Sequence, residues 1–297
     1  MTITHRPYIE WKPGKVGVFS GVPNDDYHQR TSGLGSTIAS KLVFRSASHA
    51  KEALDNPKEP TSFMEMGTLV HCGTLEPNRL ASSYYRRPET RPAEKDCTAV
   101  KAGLAKPGDP IPWDSKAGFC KAWNAEHSGL PIITVENEKT LIGCVGALKA
   151  NPTLAAMLKT GQSELSVFAK TGDVLLKCRP DLIATDDRGQ VWVLDIKKCQ
   201  DGSFFVFQGE SRRVHRDFQE AWYRFVMEAA GIHVDHLVFA AVEEAAPHGV
   251  AIYRINSVNV DAMKPKVQEA IDKWFSAIES GEWPGYHGEV QEIGWKP

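Results

Sequence analysis

The side chains best placed to do chemistry in this 297-residue chain are Asp181, Asp195 and Lys197. They belong to the segments Cys178–Arg179–Pro180–Asp181 and Asp195–Ile196–Lys197. Each segment ends a run of strand character. Two carboxylates and an ammonium at neighbouring strand ends can hold a divalent cation against a phosphodiester. In 190–197 the two-residue period of a strand puts Val191, Val193, Asp195 and Lys197 on one face, and Trp192, Leu194 and Ile196 on the other. Asp195 and Lys197 can therefore reach one scissile phosphate, and the Ile196 backbone carbonyl between them is a further oxygen ligand. A hard cation such as Mg²⁺ takes only a few oxygens from protein and leaves the rest to water and substrate. Pro180 ends the preceding strand by removing a ladder donor, so the following turn can bring Asp181 back towards Asp195. Metal held there would polarise the phosphate and acidify a bound water, with Lys197 orienting that water or offsetting charge on the transition state.

Other residues extend the set. Glu164 opens a strand and offers a third carboxylate, directly or through a metal-bound water. His71 lies on a helix behind Gly67, where a lone histidine is most often a satisfied core or surface residue. Gln219 and Tyr223 stand at i and i+4 on the helix after Lys197, so they share a face suited to hydrogen bonding with phosphate oxygens or Lys197. His215 extends that face by a turn and has no assigned role. A single strand aspartate is usually a salt-bridge partner; the pairing of Pro-Asp with Asp-x-Lys is what favours a metal site.

These residues need elements to position them. Ser36 is an N-cap for a helix through Ile38, Leu42 and Val43, and a second helix starts near Ser62 and stops before Pro77. Residues 86–113 are rich in Pro, Lys and Gly without periodicity, which predicts a long mobile loop or lid. Helical patterns follow at 114–128 and 136–159. Three antiparallel strands are predicted at 163–170, 173–181 and 190–197, then a helix at 212–230, strands at 235–243 and 249–255, and a helix at 258–280. That order predicts an α/β domain built on one mixed sheet.

Composition sets limits. No run of about 18 apolar residues is present, so no membrane span is expected. The N-terminal stretch has no apolar h-region, which argues against a secretory signal. Six cysteines without a C-x-x-C pair argue against a zinc ribbon or iron–sulfur cluster and for free thiols in a reducing cytoplasm. Net charge is −2, yet Arg86, Arg87, Arg91, Lys95, Lys101 and Lys106 crowd one stretch, and Lys197, Lys198, Arg212, Arg213, Arg216 and Arg224 another. Local basic grooves in a near-neutral protein suit reversible DNA binding.

The order of motifs resembles the PD-(D/E)xK nuclease superfamily, and within it the RecE-type (exonuclease VIII-like) phage and prophage recombination exonucleases, over roughly residues 20 to 285. The likeness runs through Asp25–Asp26–Tyr27–His28, Gly67–Thr68 with His71–Cys72, Leu75–Glu76–Pro77, Ser163–Glu164, Cys178–Arg179–Pro180–Asp181, Asp195–Ile196–Lys197, Gln219–Glu220–Ala221–Trp222–Tyr223 and Glu282–Trp283–Pro284. One departure is Lys198, where relatives more often carry Thr after the lysine.

The resemblance implies a PD-(D/E)xK nuclease-like core, a central mixed β-sheet flanked by helices, spanning 34–285 between an N-terminal arm (1–33) and a C-terminal tail (286–297). It implies His71, Asp181 and Asp195 as metal ligands, Glu164 holding metal or its water, Lys197 as catalytic lysine, and Gln219 and Tyr223 completing the site. Arg45, Arg212 and Arg213 are candidates for gripping DNA. The implied activity is Mg²⁺-dependent (Mn²⁺ substituting) 5′→3′ digestion of linear double-stranded DNA from its ends, leaving 3′ single strands. A ring-shaped homo-oligomer, a single-strand annealing protein as partner, and a cytoplasmic location in a bacterial host complete the expectation. Rival readings are a PD-(D/E)xK endonuclease and a non-catalytic DNA-end-binding protein.

Overall fold

The computed structural model describes residues 3–57, 61–286, 288, 290, 292 and 293, so most of the 286–297 tail lies outside the described residues. In chain order the principal elements are β1 (Gly17–Ser20), α1 (Ser36–Phe44), α2 (Ala47–Asp55), α3 (Ser62–Leu75), α4 (Val135–Ala150) and α5 (Pro152–Thr160). There follow β2 (Gln162–Ser163), β3 (Ser166–Thr171), β4 (Val174–Cys178), β5 (Leu182–Thr185), β6 (Val191–Cys199), α6 (Phe204–Arg213), α7 (Arg216–Ala229), β7 (His236–Glu243), β8 (Val250–Tyr253) and α8 (Ser257–Ser280).

The α/β class and the central mixed sheet are present, but the strands divide between two five-stranded sheets instead of one. The central sheet runs β8-β7-β6-β5-β2, with only β6 and β7 parallel. These two strands are buried on both faces, which is why their sequences read as apolar runs. One face packs Val193, Phe239 and Ala241 against α1, α7 and α8. The other packs Leu194, Ile196 and Val238 against α3, α4 and α5. The second sheet holds β1, β3 and β4, of which β3 and β4 lie beside α7, with short strands at Arg6–Pro7 and Leu34–Gly35 on its edges.

The predicted strand 173–181 is β4 alone, shorter than expected, and β5 is a further strand that the sequence reading did not place. β4 stops at Cys178 in one sheet and β5 starts at Leu182 in the other. Cys178 pairs with Val167 and Leu182 pairs with Ser163, so a four-residue step on one strand matches a four-residue step on its partner. The long hairpin thus keeps its register while it bends from sheet to sheet. Pro180 supplies no N–H at the bend, and Glu164, opposite Asp181, has a left-handed φ of 54°.

Other boundaries also differ from the expectation. The single helix over 136–159 is α4 and α5, bent by 84° where Asn151 caps Thr153 and Leu154 ahead of Pro152. The helix over 212–230 is preceded by α6 and separated from it by His215, at φ 56°. Segment 86–113 carries short regular elements. Thr90–Pro92 pairs with Pro110–Pro112, Tyr85–Arg86 pairs with Ile132–Ile133, and Thr98–Lys101 is a helical turn. No single helix among the described residues is long and apolar enough to cross a membrane.

Candidate active site

Strand register assembles the site. β5 pairs with β6 through Leu182–Leu194, and one further step in that register sets Asp181 opposite Asp195. On the other flank the Glu164 N–H donates to the Asp181 carbonyl at 3.0 Å, which sets Glu164 beside Asp181. Residues directly opposite on adjacent strands present their side chains to one face. A row Glu164–Asp181–Asp195 therefore crosses the sheet switch. Sequence spacing predicts the second pair; the first depends on the bend.

Asp181 is buried, and its Oδ2 accepts from the Ile196 N–H at 2.5 Å. Its Oδ1 lies 3.3 Å from His71 Nδ1, and the other ring nitrogen, Nε2, is 2.9 Å from the Ile196 carbonyl. His71 thus reaches both candidate oxygen donors from α3, on the side of the sheet opposite α7. Asp195 is 3% exposed. Gln219 Nε2 donates to Asp195 Oδ2 at 2.6 Å and also contacts Tyr223 Oη at 3.2 Å, while the Tyr223 hydroxyl reaches the Arg179 carbonyl at 3.4 Å. The Lys197 ammonium sits against Asp195 Oδ1. Gln219 accordingly holds Asp195, and Tyr223 holds Gln219; among the described residues neither is paired with Lys197.

Crowding of negative groups shifts their protonation. Burial, then the Asp181 charge, pushes Glu164 up to about 7. Burial pulls His71 down, but the charge and hydrogen bond of Asp181, with Asp195, outweigh it and hold the imidazole at about 9. Burial raises Asp195, with Asp181 adding to the effect and Lys197 opposing it. Asp181 goes the other way: His71 and Lys197 overcome its burial and keep it below the usual carboxylate range.

This donor set fits a divalent cation. One ligand atom each from His71, Glu164 and Asp181 lie within 4.8 Å of one another. Among the described residues the buried Asp195 Oδ1 has the Lys197 ammonium as its only partner. A proton on His71 balances carboxylates that a bound cation would otherwise balance. Mainly oxygen donors with one imidazole suit a hard or borderline ion better than a thiolate-seeking one.

Several residues serve the site from behind. Arg179, inside the quoted motif, donates to Ser166 Oγ at 2.8 Å, Asn24 Oδ1 at 2.7 Å and the Val22 carbonyl at 2.8 Å, and lies over the Tyr27 ring. Lys177 is buried and donates to the Tyr27 carbonyl at 2.5 Å and to Ser32 Oγ at 2.6 Å. Trp222 Nε1 donates to the Lys177 carbonyl at 3.0 Å, tying α7 to β4. The Asp25–Asp26–Tyr27–His28 segment thus anchors the Arg179 strand. Alternating residue types flag Arg179 and Lys177 as basic residues beside Asp181, but nothing local in the sequence names their partners.

The remaining candidates lie apart from this cluster. His215 is half-buried and stacks on Phe44, the ring centroids 3.6 Å apart. Arg45 is exposed, with Nε donating to Tyr286 Oη at 2.9 Å. Arg212 and Arg213 are exposed on the last turn of α6. Lys198, on the opposite face from Lys197, is paired with Glu244 at 2.6 Å and covered by Phe63.

A mixed sheet with a carboxylate row and an Asp-x-Lys strand beside a helical Gln and Tyr defines a PD-(D/E)xK nuclease core. The model of the PDDEXK-like domain of unknown function (DUF3799) matches residues 38–294, and the chain belongs to that family. No curated protein matches it. Among solved structures it is similar to a protein from Eubacterium rectale titled as a candidate exonuclease, with TM-score 0.57 and 11% identity over 92% of this chain and 96% of that one. At that identity the likeness shows the fold. A phage-related exonuclease from Haemophilus somnus 129PT aligns at TM-score 0.32 and 12% identity, over 64% of this chain and 91% of that one, too distant to carry an argument.

Proposed function

We propose that this nuclease is a Mg²⁺-dependent exodeoxyribonuclease that digests linear double-stranded DNA 5′→3′ and leaves 3′ single strands for recombination by annealing. The observation that carries the nuclease chemistry is the Glu164–Asp181–Asp195 row with Lys197 and His71 against it. His71, Glu164, Asp181 and the Ile196 carbonyl, with Asp195 beside them, would hold the ion. When bound, a divalent cation supplies Lewis acidity towards a phosphoryl oxygen and lowers the pKa of a coordinated water. The Lys197 ammonium touches Asp195 and is partly exposed, so it can offset negative charge building on a phosphate. Gln219 fixes the Asp195 carboxylate by its hydrogen bond, and Tyr223 fixes Gln219 in turn.

End-dependence, polarity, a ring-shaped homo-oligomer and a single-strand annealing partner rest on the motif order shared with RecE-type exonucleases. Exposed Arg45, Arg212 and Arg213 supply phosphate contacts in this reading. The test is a time course on linear duplex labelled at the 5′ or the 3′ end, beside covalently closed circular DNA. Early release of the 5′ label with Mg²⁺, none with Ca²⁺, and an intact circle are expected. Cleavage of the circle would replace the exonuclease reading by an endonuclease. DNA binding without release under any divalent ion would leave an end-binding protein.

A further inference from the structure

Helix α6 turns an aromatic and cationic face to solvent. Phe207 is its anchor: the ring is buried, stacks on Tyr253 at 4.9 Å and lies beneath the Arg216 guanidinium. Phe205 takes no part in that anchor and is 81% exposed. Its ring meets Phe204 edge-on at 5.4 Å, and Phe204 in turn approaches Tyr253 at 6.2 Å. Phe205 is thus supported on one side and open on the other. Exposed aromatic surface next to charge marks a binding site more often than a packing one.

The helical repeat puts Gln208, Gly209 and Arg212 on the Phe205 face, with Arg213 beside Arg212, and all four are exposed. A Cβ at Gly209 would meet nothing within 4 Å, so the face between Phe205 and the arginines is open. Phe205 and Arg212 lie about 10 Å apart along the axis. Charge divides along the helix. Glu210, its only acid, is taken by Arg216 at 2.7 Å. Asp201 occupies the other end, accepting from the Ser203 N–H at 2.8 Å. An anion is therefore favoured at the arginine end and an uncharged ring at the phenylalanine end. A nucleic-acid strand offers both, and its bases are open to stacking only when unpaired. Connectivity sets this face near the site. Residues 200–203 join α6 to β6, which carries Asp195 and Lys197, and Val214–His215 join it to α7, which carries Gln219.

We propose that α6 binds single-stranded DNA beside the active site, with a base stacked on Phe205 and the adjoining phosphates held by Arg212 and Arg213. The assignment rests on the nuclease reading for the identity of the strand, which is one unpaired at the duplex end under digestion.

Fluorescence anisotropy on the intact chain in chelator, with a labelled oligothymidylate and an abasic strand of equal length, tests the face. Phe205→Ala is expected to weaken oligothymidylate binding about ten-fold, the scale of one base–aromatic stack, and to leave the abasic strand unchanged. Phe205→Tyr keeps the stacking surface and should bind like the wild type. Replacing Arg212 and Arg213 together by Ala weakens both strands, and the dependence of log affinity on log salt becomes shallower by about 1.4, as two lost phosphate contacts require. Three results would overturn the proposal: unchanged oligothymidylate affinity in Phe205→Ala, an equal loss for the abasic strand, or a fall in oligomeric mass with strand binding intact. The last would assign the face to a second copy of the chain. Lys197→Ala separates the two readings, since it is expected to lose digestion and keep Phe205-dependent binding. Duplex digestion by a protein that does not bind oligothymidylate sinks the α6 assignment alone. Phe205-dependent strand binding in a protein inert towards DNA under every divalent ion sinks the nuclease reading alone.

Discussion

The active-site strip and the small lobe at residues 85–133 both concentrate charged and aromatic side chains, and they solve the problem of burying them differently. In the strip nearly every polar atom has an assigned neighbour: Asp181 takes Ile196 and His71, Asp195 takes Gln219 and Lys197, and Arg179 takes Ser166, Asn24 and Val22. In the lobe, Arg87 Nε, Arg91 Nε, Trp113 Nε1 and Asn124 Oδ1 are buried without partners among the described residues. Its fully buried apolar side chains are few, Ala93, Cys120 and Ile133. Stacking fills the gap: Trp123 lies on His127 at 3.9 Å, and Trp113 meets Trp123 edge-on at 5.5 Å. Sheet register gives the strip a unique geometry with a large core behind it. The lobe has aromatic faces, which pack with less directional constraint.

If that contrast is correct, damage to the strip should be severe and specific. Lys197→Ala is expected to lower turnover by about a hundred- to a thousand-fold, the scale for removing one charge-stabilising donor. The variant should stay folded and still bind the metal, since no ligand is removed. Near-wild-type turnover in that variant would remove Lys197 from the chemistry. Asp195→Asn is expected to abolish cleavage and weaken Mg²⁺ binding in calorimetry, because it replaces the buried carboxylate between Gln219 and Lys197.

Stability should follow the same division. Trp222→Ala removes a fully buried side chain and its bond to the Lys177 carbonyl, and should cost about 3–5 kcal/mol in urea unfolding. Trp113→Ala in the half-buried lobe should cost at most about 1 kcal/mol by the same measurement, since it loses less contact area. Equal costs would mean that the lobe is as tightly built as the core. Amide hydrogen exchange offers a finer comparison: β6 and β7 should be protected to the global limit, and residues 85–133 should exchange sooner.

The metal-free protein should also show a pH dependence. The folded His71 holds its proton to about 9, against 6.5 for an ordinary imidazole. Between these values the folded state binds the extra proton. The contribution of His71 is therefore complete below pH 6.5 and is lost as pH rises through 9. Chemical denaturation in chelator from pH 6 to 10 should show this decline, and His71→Asn should flatten it. Mg²⁺ binding should strengthen over the same range as the ion displaces that proton.

Much of the site is legible along the chain. The two-residue period places Asp195 and Lys197 on one face, and helical spacing pairs Gln219 with Tyr223, because short-range geometry is fixed by the backbone repeat. Pro180 marks where a strand must stop. What the chain does not display is the destination of each strand. β3 and β4 belong to one sheet and β2 and β5 to the other, and only their joint register sets Glu164 beside Asp181. Likewise α6, and the short strands within 86–113, lack the periodic apolar pattern that reveals a packed element, because so few of their residues are buried.

Residue types and local spacing by themselves determined the carboxylates, the lysine and the helix face that accompany them, since each follows from a repeat a few residues long. Tertiary structure alone decided that His71 approaches from the far side of the sheet, that His215 stacks on Phe44, and that Asn24 and Tyr27 anchor Arg179. These contacts join residues distant in the chain, and their partners are selected by the packing of whole elements against one another.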